Sequence, residues 1–125
     1  MVKSIYVASK AYHGPMWIRM REIGYPITCT WIDKYKPNVI EDWTDFWHRC
    51  IAEVISSDLL IAYREVGDEL KGGFIEIGAA LSHNIPIYTV GLDQMSWTRH
   101  SLVTNFEDIE EAFKQAVNRH AYTER

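Results

Sequence analysis

Long apolar runs are missing from this 125-residue chain. None approaches the ~18 residues that a membrane-spanning helix needs, so no membrane partner is expected. Cysteine is scarce: Cys29 and Cys50 stand alone, with neither a metal-ligand spacing nor a disulfide framework. A reduced, cytoplasmic setting without a structural metal follows as the expectation. Positive charge is also short, with 13 Lys and Arg against 17 Asp and Glu, a net charge of −4 and no basic run. That argues against a nucleic-acid polymer as partner, though not against a small nucleotide. The phosphate-binding pattern G-x-x-x-x-G-K-[ST] is absent, and no signal-peptide pattern precedes the first apolar run. Repeats, linkers and low-complexity segments are lacking too, so residues 1–125 are expected to form one domain.

Aromatic residues are present in quantity, with five Trp and seven Tyr. Such a supply thickens a small core or lines a planar-ligand pocket or subunit interface. The order of patterns is β-α-β-α-β-α-β-α-β. Ser4 to Ala8, Ile27 to Ile32, Leu59 to Tyr63, Ile85 to Val90 and a short Leu102 to Thr104 read as strands. Met16, Trp17, Met20 and Ile23 recur at helical spacing, with Gly24 as the stop. Asp42 is expected to cap a helix striped by Trp43, Phe46, Trp47, Cys50, Ile51, Val54 and Ile55. Trp17, Trp43 and Trp47 fall on helix stripes and read as packing or interface residues. Asn105 is expected to cap a last helix carrying Ile109, Ala112, Phe113, Ala116 and Val117. A polar loop around Pro37 and Asn38 and a frayed tail from His120 onward complete the reading.

The stretch from Leu70 to Gly91 organises the rest. Gly72 and Gly73 open a helix, Glu76 is expected in its first turn, Asn84 ends it and Pro86 bars its continuation. The glycine pair would let a ligand approach the backbone, while Glu76 would at the least complement the helix dipole. In a doubly wound parallel sheet the loops after each strand open on one edge, where ligands bind. That edge would gather Ser9 and Lys10, Asp33, Arg64 and Glu65, the Gly72-Gly73 turn with Glu76, and Gly91 to Trp97.

Three stretches carry a family resemblance. Ile5-Tyr6-Val7-Ala8-Ser9, Ser57-Asp58-Leu59-Leu60-Ile61-Ala62, and Gly72-Gly73-Phe74-Ile75-Glu76-Ile77-Gly78-Ala79-Ala80 with Ile85-Pro86-Ile87-Tyr88 resemble the nucleoside 2-deoxyribosyltransferase family. A related group, the 2'-deoxynucleoside 5'-monophosphate N-hydrolases, shares this layout. The resemblance implies a flavodoxin/Rossmann-like three-layer α/β/α sandwich with a mostly parallel five-stranded sheet. It implies cleavage, by hydrolysis or base exchange, of the N-glycosidic bond of a (deoxy)nucleoside or nucleoside 5'-monophosphate. Glu76 would be the nucleophile, Tyr6 would lie near the sugar or that carboxylate, and Gly72 would line the pocket. No cofactor and no metal would be needed, and a homo-oligomer would be usual.

Further candidates follow from placement. Ser9 and Gly73 would line the substrate pocket, Lys10 with His13 would hold a phosphate or protonate a base, and Lys71 would meet a phosphate. Trp31 and Trp97 would stack on a nucleobase. The family's usual acidic residue on the helix before the third strand is replaced here by Cys50. Asp33, or less favourably Asp58 at the opposite edge, would then take over proton transfer to the base. Two alternatives stay open: a non-catalytic nucleotide-binding module, and an NAD or phosphoribosyl N-glycohydrolase.

Overall fold

A computed structural model of the chain describes residues 1–34, 40 and 42–119. The loop expected around Pro37 and Asn38 and the tail from His120 lie outside the described residues. Four parallel strands form the sheet: β1 (Ile5–Ala8), β2 (Leu59–Tyr63), β3 (Ile87–Val90) and β4 (Val103–Phe106), in that spatial order. Ala8 pairs with Ala62 and Tyr63 with Val90, so β1 to β3 end close together on one edge. Every residue of β1 and β3 is buried, as continuous apolar runs covered on both faces must be. β4, at the rim, is half exposed.

The expected strand over Ile27 to Ile32 does not form. A single parallel bridge joins Ile27 to Ile5, flanked by Ile5 N–H donating to Pro26 O and Thr28 N–H donating to Ile5 O. Then Glu53 accepts from both the backbone N–H and the hydroxyl of Thr30, at 2.9 and 2.7 Å, and draws the chain off the edge. Trp31–Asp33 closes a 3-10 turn, with the indole N–H of Trp31 donating to Val7 O at 2.7 Å. Tertiary hydrogen bonds thus override the β propensity of this run. The Ile27 bridge nevertheless keeps the flavodoxin-like sequence of positions, with the chain reversing direction between β1 and β2.

Crossovers in opposite directions from β1 put helices on opposite faces of the sheet. On one face lie α1 (Gly14–Glu22) and α4 (Ile109–Val117), where Phe113 packs 6.0 Å from Trp17 and 4.7 Å from Tyr25, ring to ring. On the other lie α2 (Trp43–Ile55) and α3 (Gly72–Ser82). Asp42 caps α2 by accepting from Asp45 N–H. The cap of α4 is Asp108 rather than Asn105, which belongs to β4 and accepts from the Thr89 hydroxyl at 2.5 Å. α3 ends at His83. Asn84 follows in the left-handed region (φ 58°), with Ile85 N–H returning to Ala80 O and Asn84 N–H to Leu81 O.

Gly91 turns the chain away at the C-terminal end of β3. Its φ is +80°, and a Cβ there would sit 2.0 Å from Arg64 O. Arg64 N–H in turn donates to Val90 O at 2.9 Å, so the two loops are stitched at this point. Gly91→Ala is expected to cost on the order of 2–3 kcal/mol, combining backbone strain with a clash against main chain. Urea denaturation would show it as a lower midpoint with an unchanged slope.

Candidate active site

At the C-terminal edge, where the chain order reverses between β1 and β2, a cleft of about 210 Å³ opens toward α2 and α3. Glu76 lies at its inner end. It is the fifth residue of α3, one turn deeper than expected, so it faces the sheet rather than serving the first-turn amides. Only 6% of it is exposed. The hydroxyl of Tyr6, fully buried in β1, donates to Glu76 Oε2. Burial pushes the Glu76 carboxyl up to about 8; the Tyr6 hydrogen bond pulls down against this, and the charge of Glu53 adds a smaller upward push. Burial and the neighbouring Glu76 drive the Tyr6 phenol far above its usual range, so it stays a proton donor.

Cys50 on α2 lines the same cleft and is buried. Burial raises its thiol to about 12, against an opposing hydrogen bond from Tyr6. It therefore stays protonated, a poor nucleophile and a weak acid. Trp31, Trp43, Phe46 and Trp47 supply aromatic walls, the last three meeting edge to face at 5.4 and 5.6 Å. This explains Gly72: a Cβ there would lie 2.8 Å from the Trp47 ring. Gly73 likewise makes room for Leu70, whose side chain would stand 3.0 Å from an added Cβ. Both glycines line the cleft, and the missing side chains serve the packing of its wall.

Of the residues singled out from the sequence, the cleft brings together Glu76, Ser9, Lys10, Lys71, Gly72, Gly73 and Trp31, with Tyr6 behind Glu76. Ser9 is held by neighbours, its hydroxyl donating to Lys10 O and accepting from the Trp17 indole N–H. Four candidates sit elsewhere. Asp33 is not among the lining residues; Arg21 grips both its oxygens, at 3.1 and 2.8 Å, and holds its carboxyl below the usual range despite partial burial. Trp97 packs edge to face on Phe74, 6.5 Å away, on the outer side of α3. His13 is buried against Asp68. Asp58, at the far edge, accepts from Lys3 N–H at 2.9 Å. Lys34, Trp43, Phe46 and Trp47 also line the cleft, and no sequence motif marks them for it. The available signal was that Trp43, Phe46 and Trp47 crowd the first turns of a helix that begins at the ligand edge.

His13 Nε2 lies 2.8 Å from Asp68 Oδ2 and 3.6 Å from Glu65 Oε2, and Tyr12 OH donates to Asp68 Oδ1. His13, Glu65 and Asp68 are the group, among the described residues, whose ligand atoms come within 4.8 Å of one another as a metal would require. Asp68 spends its atoms on protein donors instead. Burial would raise its carboxyl, but hydrogen bonds from Tyr12, His13 and Glu65 N–H outweigh this and hold it low. The cluster clamps the segment after β1 to the segment after β2, the two stretches that carry Lys10 and Lys71. His13→Ala is expected to cost about 1–3 kcal/mol of stability and to loosen the rim. Stability and ligand affinity should fall together, with Glu76 chemistry left in place, as paired melting and binding curves would show.

No family model and no curated protein matches this sequence. Solved structures do. The Clostridium botulinum CMP N-glycosidase BcmB superposes with a TM-score of 0.60 at 16% identity, covering 93% of this chain and 98% of that one. A 2-desoxiribosyltransferase from Leishmania mexicana gives 0.68 at 18% identity, covering 94% and 99%. The chain shares its fold with these two proteins over nearly the whole length of each. No helix among the described residues is long and apolar enough to cross a membrane.

Proposed function

We propose that the protein cleaves the N-glycosidic bond of a (deoxy)nucleoside or nucleoside 5'-monophosphate, by hydrolysis or base exchange. The observation that carries this reading is the buried Glu76 carboxyl at the inner end of an aromatic-walled cleft, with Tyr6 donating to it. A glycosidic bond breaks through an oxocarbenium-like state, so a carboxylate at one face of the sugar forms a glycosyl-enzyme bond as the base leaves. Water then returns the free sugar, or an acceptor base takes it. Planar bases fit between rings of the Trp31, Trp43, Phe46 and Trp47 kind. The reading needs no metal or redox cofactor. It includes association into a homo-oligomer, since Trp43 on α2 and Phe74 and Ile75 on α3 leave large apolar surfaces exposed.

A second reading is a nucleotide-binding module without turnover. What favours it is Cys50, a thiol in the cleft where the family resemblance leads one to expect an acid. Incubation with separate pools of nucleosides, 5'-monophosphates and NAD, with and without an acceptor base, distinguishes the two. Released base, or new nucleoside in the presence of acceptor, is the expected result. A ligand that raises the melting temperature with no product from any pool would favour the binding module.

A further inference from the structure

The Trp31–Asp33 turn hangs between the two helix layers. At its front, the Glu53 carboxylate of α2 accepts from the Thr30 backbone N–H at 2.9 Å and from the Thr30 hydroxyl at 2.7 Å. At its back, the Arg21 guanidinium of α1 donates through both terminal nitrogens to the Asp33 carboxylate, at 3.1 and 2.8 Å. Asp33 N–H donates to Thr30 O and Lys34 N–H to Trp31 O, so the two ends are also tied to each other. Between the anchors Ile32 is fully buried, and Trp31 lines the cleft while its indole N–H donates to Val7 O at 2.7 Å. Val7 follows Tyr6 in β1, and Tyr6 donates to Glu76. The ring in the wall and the carboxyl at the inner end are therefore both fastened to successive residues of one buried strand.

A planar guest gains from an aromatic wall only at contact distance, because a gap of less than an ångström already forfeits much of the dispersion attraction. A ring left free to swing would also have to be ordered when the guest arrives. Past Thr28 the chain has left the β1 edge, so side chains take over from the strand ladder in setting where Trp31 lies. A carboxylate gripping two donors and a two-pronged guanidinium–carboxylate pair both fix orientation as well as distance. Both anchors face solvent, where such contacts add little to global stability. Their effect is local: they decide where the turn sits rather than whether the chain folds. We propose that Glu53 and Arg21 are positioning residues, which hold the turn from opposite faces of the sheet and so fix Trp31 as the wall against which a planar base lies. The inference rests on the reading of the cleft as the seat of a nucleoside or nucleotide.

Calorimetric titration in a Glu76→Gln background, which on the glycosidase reading cannot consume a ligand, provides the test. The titrants are the common nucleosides and their 5'-monophosphates, and the tightest binder is carried through the variants. Trp31→Leu is expected to weaken it on the order of 10-fold or more, the loss of one stacked ring. Glu53→Ala and Arg21→Ala should each weaken it about 3- to 10-fold. Glu53→Gln keeps one accepting oxygen and should lose less than Glu53→Ala. On top of Trp31→Leu, neither anchor change should weaken binding further, because a loosened turn then has no ring to misplace. Should Trp31→Leu fail to fold, Trp31→Phe takes its place in the cycle. Anchor and Trp31 losses that simply add, anchor variants that melt earlier with affinity unchanged, or no binding by any titrant would overturn the inference. The two readings fail separately. Base released by the wild type, with losses that add in the cycle, defeats the positioning assignment alone. A cycle without additivity, and no base released by the wild type, defeats the glycosidase reading alone.

Discussion

Glu76→Gln is expected to lower base release by a factor on the order of 10³ or more while making the protein harder to unfold at neutral pH. Loss of turnover follows because an amide cannot form or release a glycosyl ester. The gain in stability follows from burial. The carboxyl, ordinarily near 4.5, is held at about 8 in the folded chain. Below about pH 4.5 it is protonated in both states and costs nothing. Between 4.5 and 8 the unfolded chain ionises freely while the folded one resists, so stability falls as pH rises, and the full penalty is present above 8. At pH 7 this amounts to about 3 kcal/mol. Gln carries no charge and its carbonyl still accepts from Tyr6, so the variant escapes the penalty. Urea midpoints measured at pH 5 and pH 8 should show the gap between variant and wild type widening with pH. A constant gap would mean that the buried carboxyl does not titrate as described.

The same protonation governs rate. A nucleophile must be ionised, and in the free protein Glu76 is mostly protonated at neutral pH. kcat/KM is therefore expected to rise about tenfold per pH unit below about 8 and to level off above it. Tyr6→Phe removes the hydrogen bond that favours the Glu76 anion. The carboxyl should move further up, so the variant's profile shifts to higher pH. At pH 7 the loss in kcat/KM is expected to be about 10- to 100-fold, corresponding to one or two pH units. The distinguishing feature is recovery: raising the pH should restore much of the rate in Tyr6→Phe and none in Glu76→Gln. A Tyr6→Phe profile with the wild-type midpoint and a lower plateau would assign Tyr6 to the substrate instead of to Glu76.

How the sequence conveys this arrangement differs from element to element. Leu59 to Tyr63 reads as a central strand because continuous apolar residues with β-formers admit little else, and β2 occupies those residues. Asp42 announces α2 because a cap acts locally, over three residues. The α/β class and the edge where the cleft lies follow from the order of such elements. Ile27 to Ile32 misleads because its fate depends on Glu53, more than twenty residues away, accepting from Thr30. Asp33 has the sequence context of an edge carboxylate, but Arg21, a full helix back, spends it in an ion pair. Trp43 and Trp47 carry a helical stripe that is the same whether it faces a core or a cleft. Only the placement of α2 beside the N-terminal end of α3 makes them a wall, and Gly72 records that contact by leaving room for the Trp47 ring.

The most direct test of the account is to catch the sugar on the protein. Wild-type protein turning over the substrate found in the pools would be quenched in acid within the first cycles, digested and weighed by mass spectrometry. The account predicts a peptide containing Glu76 heavier by the sugar, or sugar phosphate, of that substrate and absent from Glu76→Gln. Base release in the first cycles with the adduct on another residue, or with Glu76 unmodified while Glu76→Gln still turns over, would contradict it.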